Sequence, residues 1–291
     1  MRGRHVGELA LLFPGQGVDA AQMREAVREL RPDLYSTAAK LCAADPFAHL
    51  ADGTHFAQPA IYCASLTAYE GVGRPTADAH AGHSLGEITA LAAAGAVDSL
   101  DGLRIVAERG RLMQEAGQAA GSGGMLAVGS DHEAAADLAE RTGLVVANHN
   151  SPSQFVLSGP EDAIERALAD ASGRRGLRVK RLPVAGAFHS PALEPAVEPF
   201  RAVLDSVAFH APGVPVYSCV TAQPFADDPR GPLAESLTSP VRWLEVMRGL
   251  YDAGARSFAD VGPGRVLARL VKRILDDEAV EAVDPTQLEH V

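Results

Sequence analysis

The sequence is poor in cysteine. Cys42, Cys63 and Cys219 are its only three, spread over 291 residues. An odd number at wide spacing excludes a disulfide framework and a metal knuckle. None of them stands in a glycine-rich turn, so a cysteine nucleophile finds no support. Long apolar runs are missing too. A membrane-spanning helix needs roughly 20 apolar residues, and no run approaches that. The short apolar segment 9–13, behind Arg2 and Arg4, is too brief for a signal-peptide core. A cytoplasmic protein is expected. Basic charge is in deficit: 26 Lys and Arg against 37 Asp and Glu, a net charge of −11. Non-specific nucleic-acid binding needs a basic field and is disfavoured. Internal repeats and low-complexity segments are absent.

What is there is an ordinary globular mix, 47% hydrophobic and 22% charged. The length suits one large core, or a large domain with a smaller one inserted. The acidic balance has local exceptions. Arg174, Arg175, Arg178, Lys180 and Arg181 crowd residues 173–181, and Arg265, Arg269, Lys272 and Arg273 form a smaller group. Such patches receive acidic partners or are merely solvated faces.

Residues 8–13 read as a buried strand ending at Pro14-Gly15-Gln16-Gly17. Residues 58–69 read as a helix with Pro59 at its start. A strand is expected at 77–81, and helices at 87–96 and 101–116. Gly121-Ser122-Gly123-Gly124 looks like a junction. Beyond it the pattern is strand 125–128, helix 131–141, strands 144–147 and 154–157, helix 161–171 and strand 177–182. That β-α-β-β-α-β order is ferredoxin-like. It defines an inserted small domain at 124–185, within a discontinuous large α/β domain of 1–123 and 186–291. Further on, strands are expected at 214–218 and 257–261, helices at 238–253 and 265–275, and a frayed polar tail at 276–291.

Gly82-His83-Ser84-Leu85-Gly86 carries the chemistry. Glycines two before and two after a serine fit a sharp strand-to-helix turn that leaves flanking side chains no room. The turn lifts the hydroxyl into a cleft and aims the N–H of Leu85 at a developing oxyanion. Ser84 is the expected nucleophile; a chemically silent helix entry is the alternative. A serine needs a base. Among ten histidines, His83 adjoins Ser84 but should point away. His189, in Gly186-Ala187-Phe188-His189-Ser190-Pro191, lies on the segment returning from the insert and is the better candidate. Gln16 follows the first strand, where a loop N–H can serve the oxyanion, or simply form a turn. Arg109 could grip a carboxylate through two parallel hydrogen bonds, though spacing alone favours a surface arginine.

These residues resemble the malonyl-CoA:acyl-carrier-protein acyltransferases, both freestanding and polyketide-synthase types. The match runs through Phe13-Pro14-Gly15-Gln16-Gly17, Gln58-Pro59-Ala60-Ile61, the Ser84 motif with Glu87, and Arg109-Gly110 with Met113-Gln114. It continues through Asn148, Asn150-Ser151-Pro152, Phe188-His189, Thr238-Ser239-Pro240-Val241-Arg242-Trp243 and Val261-Gly262-Pro263-Gly264. The resemblance implies a hydrolase-like α/β domain with a ferredoxin-like insert, and a ping-pong mechanism. Ser84, activated by His189, takes the acyl group from acyl-CoA, with the N–H groups of Gln16 and Leu85 as oxyanion hole. The phosphopantetheine thiol of an acidic acyl carrier protein then receives it. Arg109 pairs with the malonyl carboxylate, while Phe188, Asn148 and Gln58 line the substrate site. Phe188 before the histidine goes with malonyl rather than branched units. Ser236, where many members have Asn or Gln, orients the histidine, largely through its backbone carbonyl.

No cofactor or metal is implied, nor a membrane or nucleic-acid partner, and a monomer is expected. Because carrier proteins are acidic, Arg174, Arg175, Arg178, Lys180 and Arg181 become a candidate docking strip. The sequence departs from the family at Val18-Asp19, at His80 and in the short segment 70–78. Rival readings are a serine hydrolase editing stalled acyl groups, a transferase of non-malonyl groups between carriers, and an inactive docking protein.

Overall fold

The computed structural model describes residues 8–121, 123–184, 186–276 and 279–288. In chain order the strands and helices are β1 (Leu9–Phe13), α1 (Arg24–Leu30), α2 (Pro32–Leu41), α3 (Thr54–Gly71), β2 (Ala79–Gly82), α4 (Gly86–Ala93) and α5 (Ser99–Ala119). Next come β3 (Gly123–Gly129), α6 (His132–Thr142), β4 (Val145–Ser151), β5 (Gln154–Pro160), α7 (Glu161–Ala171) and β6 (Arg178–Arg181). The chain continues with α8 (Glu194–Asp205), β7 (Val216–Tyr217), α9 (Arg230–Glu235), α10 (Trp243–Asp252), β8 (Ser257–Asp260), α11 (Val266–Ile274) and β9 (Glu281–Val283).

Two sheets organise these elements. The first is parallel and five-stranded, ordered β7-β2-β1-β8-β9. Its central strand, Leu9-Ala10-Leu11-Leu12-Phe13, is almost wholly buried on both faces, as a helix-covered parallel sheet requires. Leu11 and Phe13 face one core, Ala10 and Leu12 the other. The second sheet is antiparallel and four-stranded, ordered β4-β5-β3-β6. This is the ferredoxin-like arrangement that the alternation of strand and helix implied.

The pleat of the second sheet builds the cleft. Leu126, Val128, Phe155 and Leu157 pack under α6 and α7. Their alternating neighbours Met125, Ala147 and Val156 join the core of the large domain. Period-two alternation thus gives the small sheet one private face and one shared face. A parallel bridge from Asn148 to Val241 fastens it to the segment before α10.

Three expectations are corrected. α3 begins at Thr54, so Pro59 lies inside the helix rather than at its start. The ring removes the N–H that would reach His55 O, and the Cys42 thiol points at that carbonyl from 3.7 Å. The helix expected from 238 begins only at Trp243. Pro240 disfavours helix in the residue before it, and Val241 is engaged in the bridge to Asn148. The tail does not simply fray: Glu281–Val283 adds a parallel strand beside β8. Its polarity hid a pairing supplied by the sheet edge. Helices α1 and α2 are additions that the sequence pattern did not lead us to expect. Ser122 and Ala185, at the expected domain junctions, lie outside the described residues.

Candidate active site

Local sterics set the candidate nucleophile, Ser84. β2 ends at Gly82 and α4 starts at Gly86, leaving a tight turn between them. A Cβ on Gly82 would sit 1.9 Å from the backbone C and O of Gly86. Ser84 itself has φ 54°, in the left-handed region that non-glycine residues rarely occupy. Such strain persists only where surrounding structure enforces it, and it clusters at functional sites. His189 is held the same way, with φ 55°.

The two residues, 105 positions apart in sequence, meet directly: Ser84 Oγ lies 2.8 Å from His189 Nε2. The other ring nitrogen, Nδ1, is 2.7 Å from the backbone carbonyl of Ser236. A carbonyl only accepts, so Nδ1 carries the proton and Nε2 is free to accept from the serine. The Ser236 side chain is engaged elsewhere, donating to Leu233 O at 2.7 Å. Burial, then the Arg109 cation, push the imidazole down to about 3, against the opposing Ser236 contact. The resting histidine is neutral. His83, the sequence neighbour of Ser84, instead bonds Asn150 Oδ1 at 2.8 Å.

Arg109 overturns the surface placement that spacing favoured. It is almost fully buried. Its Nη2 donates to Ser84 Oγ at 3.1 Å and its Nη1 to Gln58 Oε1 at 3.0 Å. Burial lowers its pKa to about 10, which leaves it charged at neutral pH, and Glu87 opposes that shift. Glu87 is the residue whose part the sequence reading missed. It lies three positions beyond Ser84 on α4, turned inward, and accepts from Cys219 N at 2.8 Å. Burial raises its carboxyl to about 7; the Cys219 N–H and Arg109 work against the rise. A glutamate in an otherwise small and apolar helix was the available signal.

The cleft around Ser84 holds about 470 Å³. Gln16, Gln58, Arg109, Asn148, Phe188 and His189 line it, together with Leu85. The N–H of Leu85 stands at the head of α4, where no earlier helical turn supplies an acceptor. Asn148 Oδ1 is buried without a partner among the described residues. Among the described residues no cluster of His, Cys, Asp and Glu could hold a metal ion. Among the same residues, no helix is long and apolar enough to cross a membrane.

Residues 13–288 match the acyl transferase domain family. The chain belongs to that family. This acyltransferase is 37% identical over 288 residues to the polyketide biosynthesis malonyl CoA-acyl carrier protein transacylase BaeC of Bacillus velezensis, covering 92% of this chain and 97% of that one. It is 40% identical over 286 residues to the polyketide biosynthesis protein ThaF of Burkholderia thailandensis, covering 93% of this chain. The acyltransferase spans only 24% of that longer protein. Among solved structures, a malonyl-CoA:acyl carrier protein transacylase of Xanthomonas oryzae superposes with a TM-score of 0.86 at 32% identity, covering 96% of this chain and 94% of that one.

The basic strip lies on an edge. β6 is the outer strand of the small sheet, and the segment 182–184 that follows it walls the cleft. The acyltransferase has already paired part of this strip. Arg174 bonds Asp137 at 3.2 Å and Asp170 at 3.1 Å, and Arg181 bonds Glu161 and Glu165. Arg175, Arg178 and Lys180 are exposed and have no ion pair among the described residues.

Proposed function

We propose that the chain moves a malonyl group from CoA to the phosphopantetheine thiol of an acyl carrier protein, through an acyl-Ser84 intermediate, in polyketide or fatty-acid synthesis. The observation that carries this reading is the buried Arg109 guanidinium, 3.1 Å from the nucleophile. A hydrolase of uncharged acyl chains has no use for a desolvated cation there. A dicarboxylic half-ester brings the carboxylate that satisfies it.

The steps follow from the hydrogen bonds. Ser84 Oγ attacks the thioester carbonyl as its proton passes to His189 Nε2. The Ser236 carbonyl holds the Nδ1–H and favours the imidazolium that forms. The N–H groups of Gln16 and Leu85 receive the oxyanion. The intermediate collapses, the C–S bond breaks, and CoA leaves with the proton from His189. The carrier thiol enters, gives its proton to His189 and attacks the acyl-serine. Collapse returns the proton to Ser84 and releases malonyl-carrier. No cofactor enters these steps. Phe188 and Asn148 shape the acyl site, with Phe188 filling the space a branched unit would need. Arg175, Arg178 and Lys180 are the cations available to an acidic carrier, and a monomer suffices because each site residue comes from one chain.

Intact mass after incubation with malonyl-CoA, acetyl-CoA and a longer acyl-CoA tests this. A malonyl adduct on Ser84 that moves to carrier protein is the expected result. Free acid without an adduct would indicate a hydrolase. A preferred adduct from uncharged acyl-CoA would indicate a different transferase.

A further inference from the structure

Four side chains link the Gln16 loop to the nucleophile. Thr54 Oγ1 lies 2.9 Å from Gln16 Oε1, and Gln58 Nε2 lies 2.8 Å from Thr54 Oγ1. Gln58 Oε1 then meets Arg109 Nη1 at 3.0 Å, and Arg109 Nη2 meets Ser84 Oγ at 3.1 Å. Gln58, Thr54 and Arg109 are almost fully buried.

The direction of this chain follows from chemistry. A guanidinium has donors and no acceptor, so the Gln58 atom facing Arg109 must be the carbonyl oxygen. The Gln58 amide NH₂ therefore faces Thr54, with Met113 Sδ 3.3 Å away as a weak second acceptor. Thr54 must accept from Gln58, which leaves its single hydroxyl hydrogen for Gln16 Oε1. Arg109 decides which way the Gln58 amide turns; the Thr54 hydroxyl then anchors its NH₂ end and ties down the Gln16 side chain.

The backbone puts that hydroxyl in place. Thr54 opens α3, and α5 passes close to it at Gly110, next to Arg109. A Cβ on Gly110 would lie 2.7 Å from Thr54 O. The close crossing lets a short side chain at 54 reach the base of the arginine site.

We infer that Thr54 is a positioning residue: it sets Gln58 so that the Arg109 fork points at the acyl carboxylate, and it couples that fork to the Gln16 loop. The inference rests on Arg109 as the carboxylate clamp. Thr54→Val keeps the shape and removes the hydroxyl. The Gln58 NH₂ then keeps only a sulfur partner, and Arg109 alone holds the amide, which is freer to shift and to move the guanidinium with it. Malonyl selectivity should fall, while capture of uncharged acyl groups should not.

The test is the rate of acyl-Ser84 formation, by intact mass, from malonyl-CoA and from acetyl-CoA. Thr54→Val should lower the malonyl-to-acetyl ratio of kcat/KM about tenfold. Thr54→Ser, which keeps the hydroxyl, should restore it. A merely structural role predicts a lower melting temperature with an unchanged ratio, and that result overturns the inference. Should the valine variant not fold, the serine variant decides: a tenfold fall with the hydroxyl retained overturns it equally. Wild-type protein run alongside separates the two levels. If it forms no malonyl adduct, the transfer reading itself fails; if it does and Thr54→Val keeps its ratio, only the role of Thr54 fails.

Discussion

Arg109→Ala tests the proposed clamp most directly. In the folded protein the guanidinium is buried and held at two points, Gln58 Oε1 and Ser84 Oγ. A malonyl carboxylate entering the variant would find no cation and little water. Removing one partner of a buried ion pair costs about 3–5 kcal/mol. The cleft is open to solvent at its mouth, so the lower end applies, about 3 kcal/mol or roughly 100-fold in kcat/KM. Acetyl-CoA should move the other way. Its methyl group offers Arg109 nothing and strips water from it, a penalty that the variant does not incur. Arg109→Lys should not rescue, because a single ammonium cannot hold both Gln58 and Ser84 while reaching a carboxylate. The assay is acyl-enzyme formation with both thioesters, with melting curves to establish folding. The pH profile gives a second readout. The Arg109 cation helps hold His189 down to about 3. Its loss raises the imidazole pKa, so the acid limb of kcat/KM should move to higher pH. A folded Arg109→Ala that keeps the wild-type malonyl-to-acetyl ratio would refute the clamp. An unmoved acid limb would refute the electrostatic link to His189.

Other predictions concern the frame. Gly82→Ala forces a methyl into the backbone of Gly86 and should abolish soluble folded protein, which circular dichroism would register; a native-like spectrum would show the turn to be more tolerant than its geometry implies. Burial lowers His80 to about 4. The unfolded chain takes up that proton first, so stability is full above about 6.5 and is lost as pH falls toward 4. His80→Val should therefore lose about 2 kcal/mol less than wild type between pH 7 and 5 in urea titrations, and equal losses would exclude His80 as a source of acid lability. Exchanging Arg175, Arg178 and Lys180 for glutamate should raise the KM for carrier protein relative to that for malonyl-CoA. An unchanged ratio of the two KM values would reject docking on β6.

Part of the site was legible because its causes are local. Glycines around Ser84 report a turn that only their absent side chains permit, so the turn and the start of α4 can be read from five residues. The ferredoxin-like order was legible because strand and helix leave different periods in the sequence. His189 could be singled out by its loop and the family resemblance, but not by spacing, since a serine and a histidine 105 positions apart leave no mutual pattern. The same limit misplaced the start of α3 and hid β9.

Local patterns along the chain were enough to give the elbow, the alternation that gives the small sheet its two faces, and the residue types for acyl transfer. Long-range packing set what those residues do to one another. It buried Arg109, which spacing placed on the surface, and set it between Gln58 and Ser84. It assigned the orientation of His189 to a backbone carbonyl, which every residue type carries and no sequence can advertise. It also paired Arg174 and Arg181 with carboxylates of the same small domain, leaving three cations where the strip had five. Burial, pairing and proton position depend on what long-range packing brings alongside a group, and that is set by the fold as a whole.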